Sequence, residues 1–224
     1  MFNNSLTDNR PIGVFDSGVG GISVLKHIHT LLPHENLIYV ADSKHAPYGN
    51  KSREEITARC IEIADFLIAK NVKALVVACN TATAASIDIL RAKYNCPIIG
   101  MEPAVKAAAL ASQNGIIGVL ATVGTLESAQ FAALLENYGR NVKVVTQACV
   151  GLVECSRYCK PLLDEGADTI VLGCTHYPFV KKVIQDVVGK EITLIDTGAA
   201  VAKQLKRQLE EKGLLIGSKE KAEV

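Results

Sequence analysis

Two cysteines stand at matched places in the sequence, each directly after a short apolar run. Cys79 ends such a run in KALVVACNTATAAS (73–86), and Cys174 ends a similar one in ADTIVLGCTHYPF. Short, continuous apolar runs are typical of buried strands, so both thiols are predicted to lie at strand ends. The polar residues that follow them are Asn80, Thr81 and Thr83 after the first cysteine, and Thr175 and His176 after the second.

Two thiols that face one bound molecule would suit acid–base chemistry at carbon. Inverting a stereocentre beside a carboxylate requires a base on one face and an acid on the other. A thiolate and a thiol satisfy both directions, because they exchange roles when the other enantiomer is bound. Hydrogen-bond donors and cations near a thiol lower its pKa toward the pH range in which general bases work best. The polar neighbours of Cys79 and Cys174 would supply such groups.

Other interpretations of the cysteine pair remain open. A zinc site would need further Cys or His ligands at short spacing, and His176 is the only close companion. A redox pair would more often use the CxxC spacing, which the sequence lacks. The remaining alternative is two buried structural cysteines. Acid–base chemistry without a metal or a cofactor is the preferred hypothesis.

Two loops carry further candidates. DSGVGG (16–21) is a glycine-rich turn between a strand and a helix, where free backbone N–H groups could bind a carboxylate. It is neither GxGxxG nor a P-loop, and Asp16 and Ser17 are as typical of a turn as of a site. ADSKHAPYGNKS (41–52), which contains Tyr48 and Gly49, is either a surface loop or a loop that covers the substrate.

Composition narrows the class of protein. The chain has 224 residues, of which 49% are hydrophobic and 21% charged, with a formal net charge of +1 and no Trp. No basic patch stands out, so no nucleic-acid partner is expected. The polar N-terminus has no signal-peptide pattern, and no apolar stretch is long enough to span a membrane. Seven scattered cysteines do not form a disulfide frame. We therefore expect a cytoplasmic protein with reduced thiols.

The elements that would position these residues alternate between strand and helix. Wholly apolar strands separated by helical segments predict an α/β protein with a mostly parallel sheet that helices cover on both faces. The chain then repeats itself, with GVFDSGVGGIS echoed by GVLATVGTLES and LVVACNT by IVLGCTH. This echo predicts two similar α/β lobes. Ligands of such sheets bind beyond the carboxyl ends of the strands, so the active site is expected between the lobes.

Seven motifs together resemble the bacterial glutamate racemases, collinearly from about residue 11 to about residue 205. The motifs are DSGVGGISV, YVADSKHAPYG, ACNTATAAS, GMEPAVKAA, GVLATVGTLES, LGCTHYPF and IDTGAAVA. The resemblance implies an aspartate/glutamate racemase fold and cofactor-independent interconversion of L- and D-glutamate, which supplies D-glutamate for peptidoglycan. It also leaves a homodimer open, since members of the family are often dimers.

The resemblance also assigns roles. Cys79 and Cys174 fall on the two catalytic acid–base positions. The residues that assist them are Asp16 for one cysteine, and Glu154 and His176 for the other. The residues predicted to bind the substrate are Asp16, Ser17, Tyr48, Gly49, Asn80, Thr81, Thr83, Thr125, Thr175 and His176.

The chain departs from the family pattern in two places. A helical segment that normally follows the GLVEC stretch is missing after Cys155, and the family usually adds a strand and a helix beyond the IDTGAAVAKQL segment. These departures keep two alternatives open, a catalytically weak or inactive amino-acid-binding or regulatory homologue and an aspartate racemase. The predicted domains are residues 1–100 plus 196–224 for the first lobe and 101–195 for the second.

Overall fold

A computed structural model describes residues 8–149 and 155–216. Its strands form two separate sheets of four strands each. The first sheet contains β1 (Ile12–Asp16), β2 (Leu37–Ala41), β3 (Ala74–Val77) and β4 (Ile98–Gly100). The second sheet contains β5 (Ile116–Ala121), β6 (Lys143–Ala148), β7 (Thr169–Gly173) and β8 (Thr193–Ile195).

Helices connect the strands in both halves of the chain. They are α1 (Ile22–Leu31), α2 (Arg53–Ala69), α3 (Asn80–Lys93), α4 (Val105–Ala111), α5 (Val123–Leu126), α6 (Ala129–Tyr138), α7 (Cys155–Asp164), α8 (Lys181–Val188) and α9 (Gly198–Glu211). Short 3-10 turns cover Ser43–His45, Tyr48–Asn50 and Tyr177–Val180.

The two sheets have the same topology. Their strand orders are β2-β1-β3-β4 and β6-β5-β7-β8, and every neighbouring pair is parallel. The prediction of two similar α/β lobes with parallel sheets is therefore confirmed. The repeated sequence motifs lie on equivalent strands of the two sheets, since β1 corresponds to β5 and β3 to β7.

Each sheet is covered by helices on both faces, as the wholly apolar strands predict. In the first sheet, α2 and α3 pack on one face and α1 and α9 on the other. In the second sheet, α7 and α8 pack on one face and α4 and α6 on the other. Two apolar layers thus hold each sheet rigid behind the strand ends.

Local sequence signals explain where several helices begin. Helix α2 begins after Ser52, whose hydroxyl accepts from the Glu55 amide while the Glu55 carboxylate accepts from the Ser52 amide. A serine followed three residues later by a glutamate is the sequence pattern of such a capping box. The sequence patterns did not predict α4, α7 and α8, which have 7, 10 and 8 residues. Helix α7 also contains Pro161, a residue that normally argues against a helix interior.

Helix α9 returns to the first sheet after the last strand of the second. Val201, Leu205 and Leu209 are buried in the same apolar cluster as Ile12 and Val14 of β1. The chain therefore crosses between the sheets twice, once before β5 and once after β8. The division into residues 1–100 plus 196–224 and residues 101–195 stays a prediction.

A buried ion pair lies at the amino-terminal edge of the first sheet, away from the strand ends that carry the cysteines. Lys73 Nζ lies 2.5 Å from Glu35 Oε2, and both side chains are almost fully buried. Lys73 Nζ also donates to the Asp8 carbonyl at 2.6 Å, and Glu35 Oε1 accepts from the Ile216 amide at 2.8 Å. The pair ties both described ends of the chain to this edge.

No helix among residues 8–149 and 155–216 is long and apolar enough to cross a membrane.

Replacing Lys73 tests the ion pair. Lys73→Met leaves the Glu35 carboxylate buried without its partner, so we expect the free energy of unfolding to fall by about 3–5 kcal/mol. Urea unfolding at neutral pH measures this change. Lys160→Met is the matched control, since the Lys160–Asp164 pair is exposed and its loss should cost less than about 1 kcal/mol. Equal losses in the two variants would contradict a special role for the buried pair.

Candidate active site

A cavity of about 380 Å³ lies where the carboxyl ends of the two sheets meet. Both candidate cysteines line it, Cys79 from the first sheet and Cys174 from the second. A larger surface depression of about 610 Å³, beside Asp8 and Lys70, lies at the opposite edge of the first sheet and has neither cysteine in its wall. The cavity between the sheets is therefore the candidate active site.

Cys79 is held at the junction of β3 and α3. Its backbone is extended, and its sulfur accepts from the Ala82 amide at 3.4 Å, so the residue caps the helix. Its thiol also lies 3.7 Å from the Ser17 hydroxyl oxygen, to which it donates. Burial, with a smaller effect of the Asp16 carboxylate, raises the pKa of the Cys79 thiol well above its ordinary value.

Asp16 lies beneath this thiol, at the end of β1. It is fully buried, and its Oδ2 accepts from the Gly21 amide at 2.7 Å. Burial raises the pKa of the Asp16 carboxyl, while the bond from Gly21 and the nearby His176 act in the opposite direction. Asp16 is not part of the cavity wall, whereas its neighbours Ser17 and Cys79 are.

Cys174 occupies the corresponding place in the second sheet, directly after β7. Its sulfur lies 3.7 Å from His176 Nδ1. Burial raises the pKa of the Cys174 thiol to about 11, although the His176 backbone amide acts in the opposite direction. Both thiols are therefore mostly protonated near neutral pH, and each has a polar neighbour, Ser17 for Cys79 and His176 for Cys174.

Asn80 is the clearest sign that the cavity binds a polar ligand. It lines the wall and is 3% exposed, yet neither its amide nitrogen nor its amide oxygen has a hydrogen-bond partner. Buried amides without partners are costly, so a ligand with both donors and acceptors is expected to bind here. Asn80 also begins α3, whose first amides favour an anionic group.

The loop between β2 and α2 forms another part of the wall. Tyr48 and Gly49 line the cavity. The Tyr48 hydroxyl, however, points away from it and donates to Asp42 Oδ2 at 2.6 Å. The loop therefore faces the cavity with its backbone and the tyrosine ring.

Polar groups join the two sheets beside the cavity. The Ser23 hydroxyl donates to the Thr175 carbonyl at 3.2 Å, and the Thr81 and Thr122 hydroxyls lie 3.0 Å apart. Gly20 makes the closest approach, since a Cβ atom built on it would lie 2.5 Å from Thr175 Oγ1. Absence of a side chain at Gly20 is thus what allows the second sheet to come this near.

Besides Asp16, two predicted substrate-binding residues, Thr83 and Thr125, lie outside the cavity wall. Thr83 is outside the cavity wall, and its hydroxyl accepts from the Met101 amide at 2.9 Å and donates to the Val77 carbonyl at 3.3 Å. Thr125 also lies behind the wall, with its hydroxyl 2.9 Å from that of Thr122. Glu154 falls outside the described residues.

Sequence reasoning missed several residues of the wall, among them Thr122, Cys149 and Tyr177. The internal echo could have indicated Thr122, because GVLATVG aligned on GVFDSGV sets it opposite Ser17. Cys149 and Tyr177 had no such signal, since both residue types are common in an apolar core. Only the fold shows that they line the cavity.

A metal-assisted alternative has no cluster of ligands to support it. Within residues 8–149 and 155–216, no group of three or more His, Cys, Asp or Glu side chains could hold a metal ion. The chemistry that the cavity offers comes from its thiols and their hydrogen-bonding neighbours.

Two similar parallel lobes with one thiol from each in a shared cavity define an acid–base enzyme that can reach two faces of a substrate. Comparison with known proteins agrees with this class. The family model for Asp/Glu/hydantoin racemases matches residues 12–205. The chain therefore belongs to the Asp/Glu/hydantoin racemase family, and it is an enzyme of the racemase class.

Individual relatives are similar to this chain in both sequence and structure. The chain is 56% identical to a glutamate racemase of Ectopseudomonas mendocina, over 92% of this chain and 84% of that protein. The structure is similar to a glutamate racemase isoform of Bacillus anthracis, with a TM-score of 0.87 and 36% identity over 94% of this chain and 85% of that one. It is also similar to the glutamate racemase of Francisella tularensis in complex with D-glutamate, with a TM-score of 0.82 and 34% identity over 96% and 86% of the two chains.

Substituting Gly20 tests the close approach of the two sheets. In Gly20→Ala the new methyl group would meet Thr175 Oγ1 at 2.5 Å and the His176 ring at 2.8 Å. The Thr175 and His176 side chains, or the second sheet that carries them, must move, and a displacement of about 1 Å lowers kcat/KM for racemisation on the order of a hundredfold. Gly18→Ala is the matched control, because its methyl group would lie 3.8 Å from the same histidine. Similar kcat/KM values for both variants and the wild type would contradict the prediction.

Proposed function

We propose that this protein is a cofactor-independent glutamate racemase, in which Cys79 and Cys174 act as the opposed acid and base. The observation that carries the proposal is that both thiols, one from each sheet, line a single cavity. Its substrate is the one named for the relatives in sequence and structure. The cavity of about 380 Å³ is of the size that binds a small molecule.

The reaction needs only a proton transfer on each face of the substrate. One cysteine, as thiolate, removes the proton from Cα, and the electron pair of the C–H bond remains on the substrate as a carbanion that its carboxylate stabilises. The other cysteine, as thiol, delivers a proton to the opposite face. After the reaction the two sulfur atoms have exchanged their protonation states, so the reverse reaction uses the same groups in exchanged roles.

Neighbouring groups would move the protons toward and away from the thiols. Asp16 is proposed to assist Cys79, since its carboxyl is buried next to this thiol and has a raised pKa. His176 is proposed to assist Cys174, whose sulfur is 3.7 Å from its Nδ1. Glu154 is also proposed to assist proton transfer at Cys174, on the basis of the family resemblance alone.

Polar groups of the wall would hold the substrate between the thiols. Asn80 offers an amide donor and an amide acceptor that have no other partner, which suits the carboxylate and the ammonium group of an amino acid. The remaining proposed contacts are Ser17, Tyr48, Gly49, Thr81, Thr175 and His176. Thr83 and Thr125 would support this wall from behind, through their bonds to Met101 and Thr122.

The cellular role follows from the product. D-Glutamate made in the cytoplasm would be consumed in peptidoglycan synthesis, and hence in cell-wall formation and the maintenance of cell shape. We further propose that the only partner the reaction needs is glutamate itself, with no nucleic acid or membrane involved, and that two copies of the chain form a homodimer.

Hydrogen exchange in deuterated water tests the two-cysteine mechanism. The wild type should exchange the α-hydrogen of both enantiomers of glutamate, with inversion followed by circular dichroism. In Cys79→Ala and Cys174→Ala, racemisation should fall by about 10²–10⁴-fold, the usual contribution of a general acid or base. Any residual exchange should favour one enantiomer in the first variant and the other in the second, because a single thiol reaches one face.

Cys96→Ala is the matched control, since Cys96 is only partly buried and lies outside the cavity wall. It should retain wild-type rates. Full racemisation by either cavity variant would refute the mechanism, whereas binding of glutamate without exchange by the wild type would identify a binding protein instead of an enzyme.

The rate should also depend on pH. Burial raises the pKa of both thiols, that of Cys174 to about 11, so the fraction of enzyme with one thiolate increases as pH rises toward these values. We expect kcat/KM to rise from pH 7 to pH 9, by up to about tenfold per pH unit. Initial rates at constant ionic strength measure this, and a kcat/KM that falls over the same range would contradict it.

A further inference from the structure

One buried carboxylate outside the cavity wall holds three side chains at once. Asp42 follows β2 directly and is 7% exposed. It accepts from the Tyr48 hydroxyl at 2.6 Å, and its Oδ1 lies 2.8 Å from His45 Nδ1. Arg59 binds both carboxylate oxygens, with Nε at 3.0 Å and Nη2 at 3.1 Å. Nothing in the proposed mechanism uses this group.

The partners of Asp42 join the loop between β2 and α2 to the elements on either side of it. His45 and Tyr48 belong to the loop itself, whereas Arg59 lies on α2, a helix of 17 residues packed on the first sheet. The Asp42 amide donates to the Asp16 carbonyl at 3.0 Å. The carboxylate therefore fixes the loop to a rigid helix, while the backbone amide of Asp42 holds it to the strand end beneath Cys79.

The charge of Asp42 suits this task. Burial alone would raise the pKa of its carboxyl, but the bonds from Arg59, Tyr48 and His45 outweigh burial and lower the pKa to about 2. The group is thus ionised at any pH at which the protein would work. A charged acceptor makes stronger hydrogen bonds than a neutral one, and the two-point contact with Arg59 also fixes its orientation.

The loop offers no acid or base to the cavity. The Tyr48 hydroxyl is used by Asp42, and Gly49 has no side chain. A Cβ atom on Gly49 would lie 3.4 Å from Thr122 Cγ2, so this backbone reaches the second sheet. The loop would instead position a ligand and close one side of the cavity. Its own position depends on the hydrogen bonds to Asp42.

We propose that Asp42 is a positioning residue of the racemase: the Asp42 carboxylate holds Tyr48 and Gly49 against the bound amino acid. This inference rests on the proposed function for the identity of the substrate. Since the loop contributes to binding and not to proton transfer, its displacement should weaken substrate and transition state alike. Such a loss raises KM and leaves kcat nearly unchanged.

The test compares Asp42→Asn with the wild type in both reaction directions. Asparagine has the same shape but loses the charge, and its amide nitrogen cannot accept from Tyr48 or Arg59. We expect KM for L- and D-glutamate to rise about tenfold or more, as for the loss of a charged hydrogen bond, with kcat within about threefold of the wild type. Tyr48→Phe, which removes one hydroxyl, should raise KM in the same sense.

The double variant supplies a measure that general destabilisation would not change. If Asp42 acts through the tyrosine, Asp42→Asn with Tyr48→Phe should bind substrate about as well as Asp42→Asn alone, so the two effects are not additive. The matched control is Asp65→Asn. Asp65 accepts from the Tyr94 hydroxyl at 2.7 Å and from Lys93, in the same lobe but away from the cavity. Its kinetics should equal those of the wild type.

Each outcome decides the question. An unchanged KM in Asp42→Asn, or a fall in kcat at constant KM, overturns the proposal. If Asp42→Asn does not fold, Tyr48→Phe decides in the same way. A wild type without racemisation overturns the proposed function instead. Calorimetry with D-glutamate then tests Asp42 separately, where about tenfold weaker binding by Asp42→Asn supports its positioning role and equal binding overturns it.

Discussion

The common direction of the strands determines where every reactive group of this protein lies. Because parallel strands all end at the same edge of a sheet, Asp16 at the end of β1 and Cys79 after β3 meet at one edge of the first sheet. Cys174 after β7 has the same place in the second sheet. Two sheets of equal topology that face each other with these edges therefore bring two thiols into one cavity without any special long-range contact.

Charge is the second constraint on the site. Burial holds the thiols in their protonated form, and the carboxyl of Asp16 adds to this by raising the pKa of Cys79. A substrate of the proposed class carries an ammonium group into the same cavity, and a nearby cation lowers the pKa of a thiol. An ammonium group bound beside one of the thiols would thus favour the thiolate that the reaction needs, whereas a carboxylate bound there would oppose it.

The sequence was most informative where chemistry and local structure use the same residues. Cys79 and Cys174 could be predicted at strand ends because short apolar runs precede them, and Ser52 and Glu55 could be predicted to cap α2 from their spacing. Thr83 shows the limit, because its neighbours are polar residues of the wall while its own hydroxyl joins Val77 and Met101. Position beside a reactive residue does not reveal which way a side chain points.

Contacts between distant residues were beyond the reach of sequence patterns. The bond of Arg59 to Asp42 joins a helix to a strand end 17 residues away, and no periodicity encodes it. The same is true of Tyr177 and Cys149, which only the fold turns toward the cavity. Thr122 is an intermediate case. Aligning the two halves of the sequence places it at the position equivalent to Ser17, so treating them as a structural repeat could have predicted it.

The stiffness of the molecule is unevenly distributed around the site. Within each lobe, two apolar layers fix the strand ends, whereas the described bonds between the lobes join polar side chains to each other or to backbone. These bonds include Ser23 to Thr175 at 3.2 Å, Thr81 to Thr122 at 3.0 Å and Gln130 to Asp88 at 2.9 Å. Each contributes a net of only about 0.5–1.5 kcal/mol, since water can replace either partner. The hydrogen bonds that help to set the separation of the two thiols are therefore individually weak, and a substrate that contacts both walls would add to them.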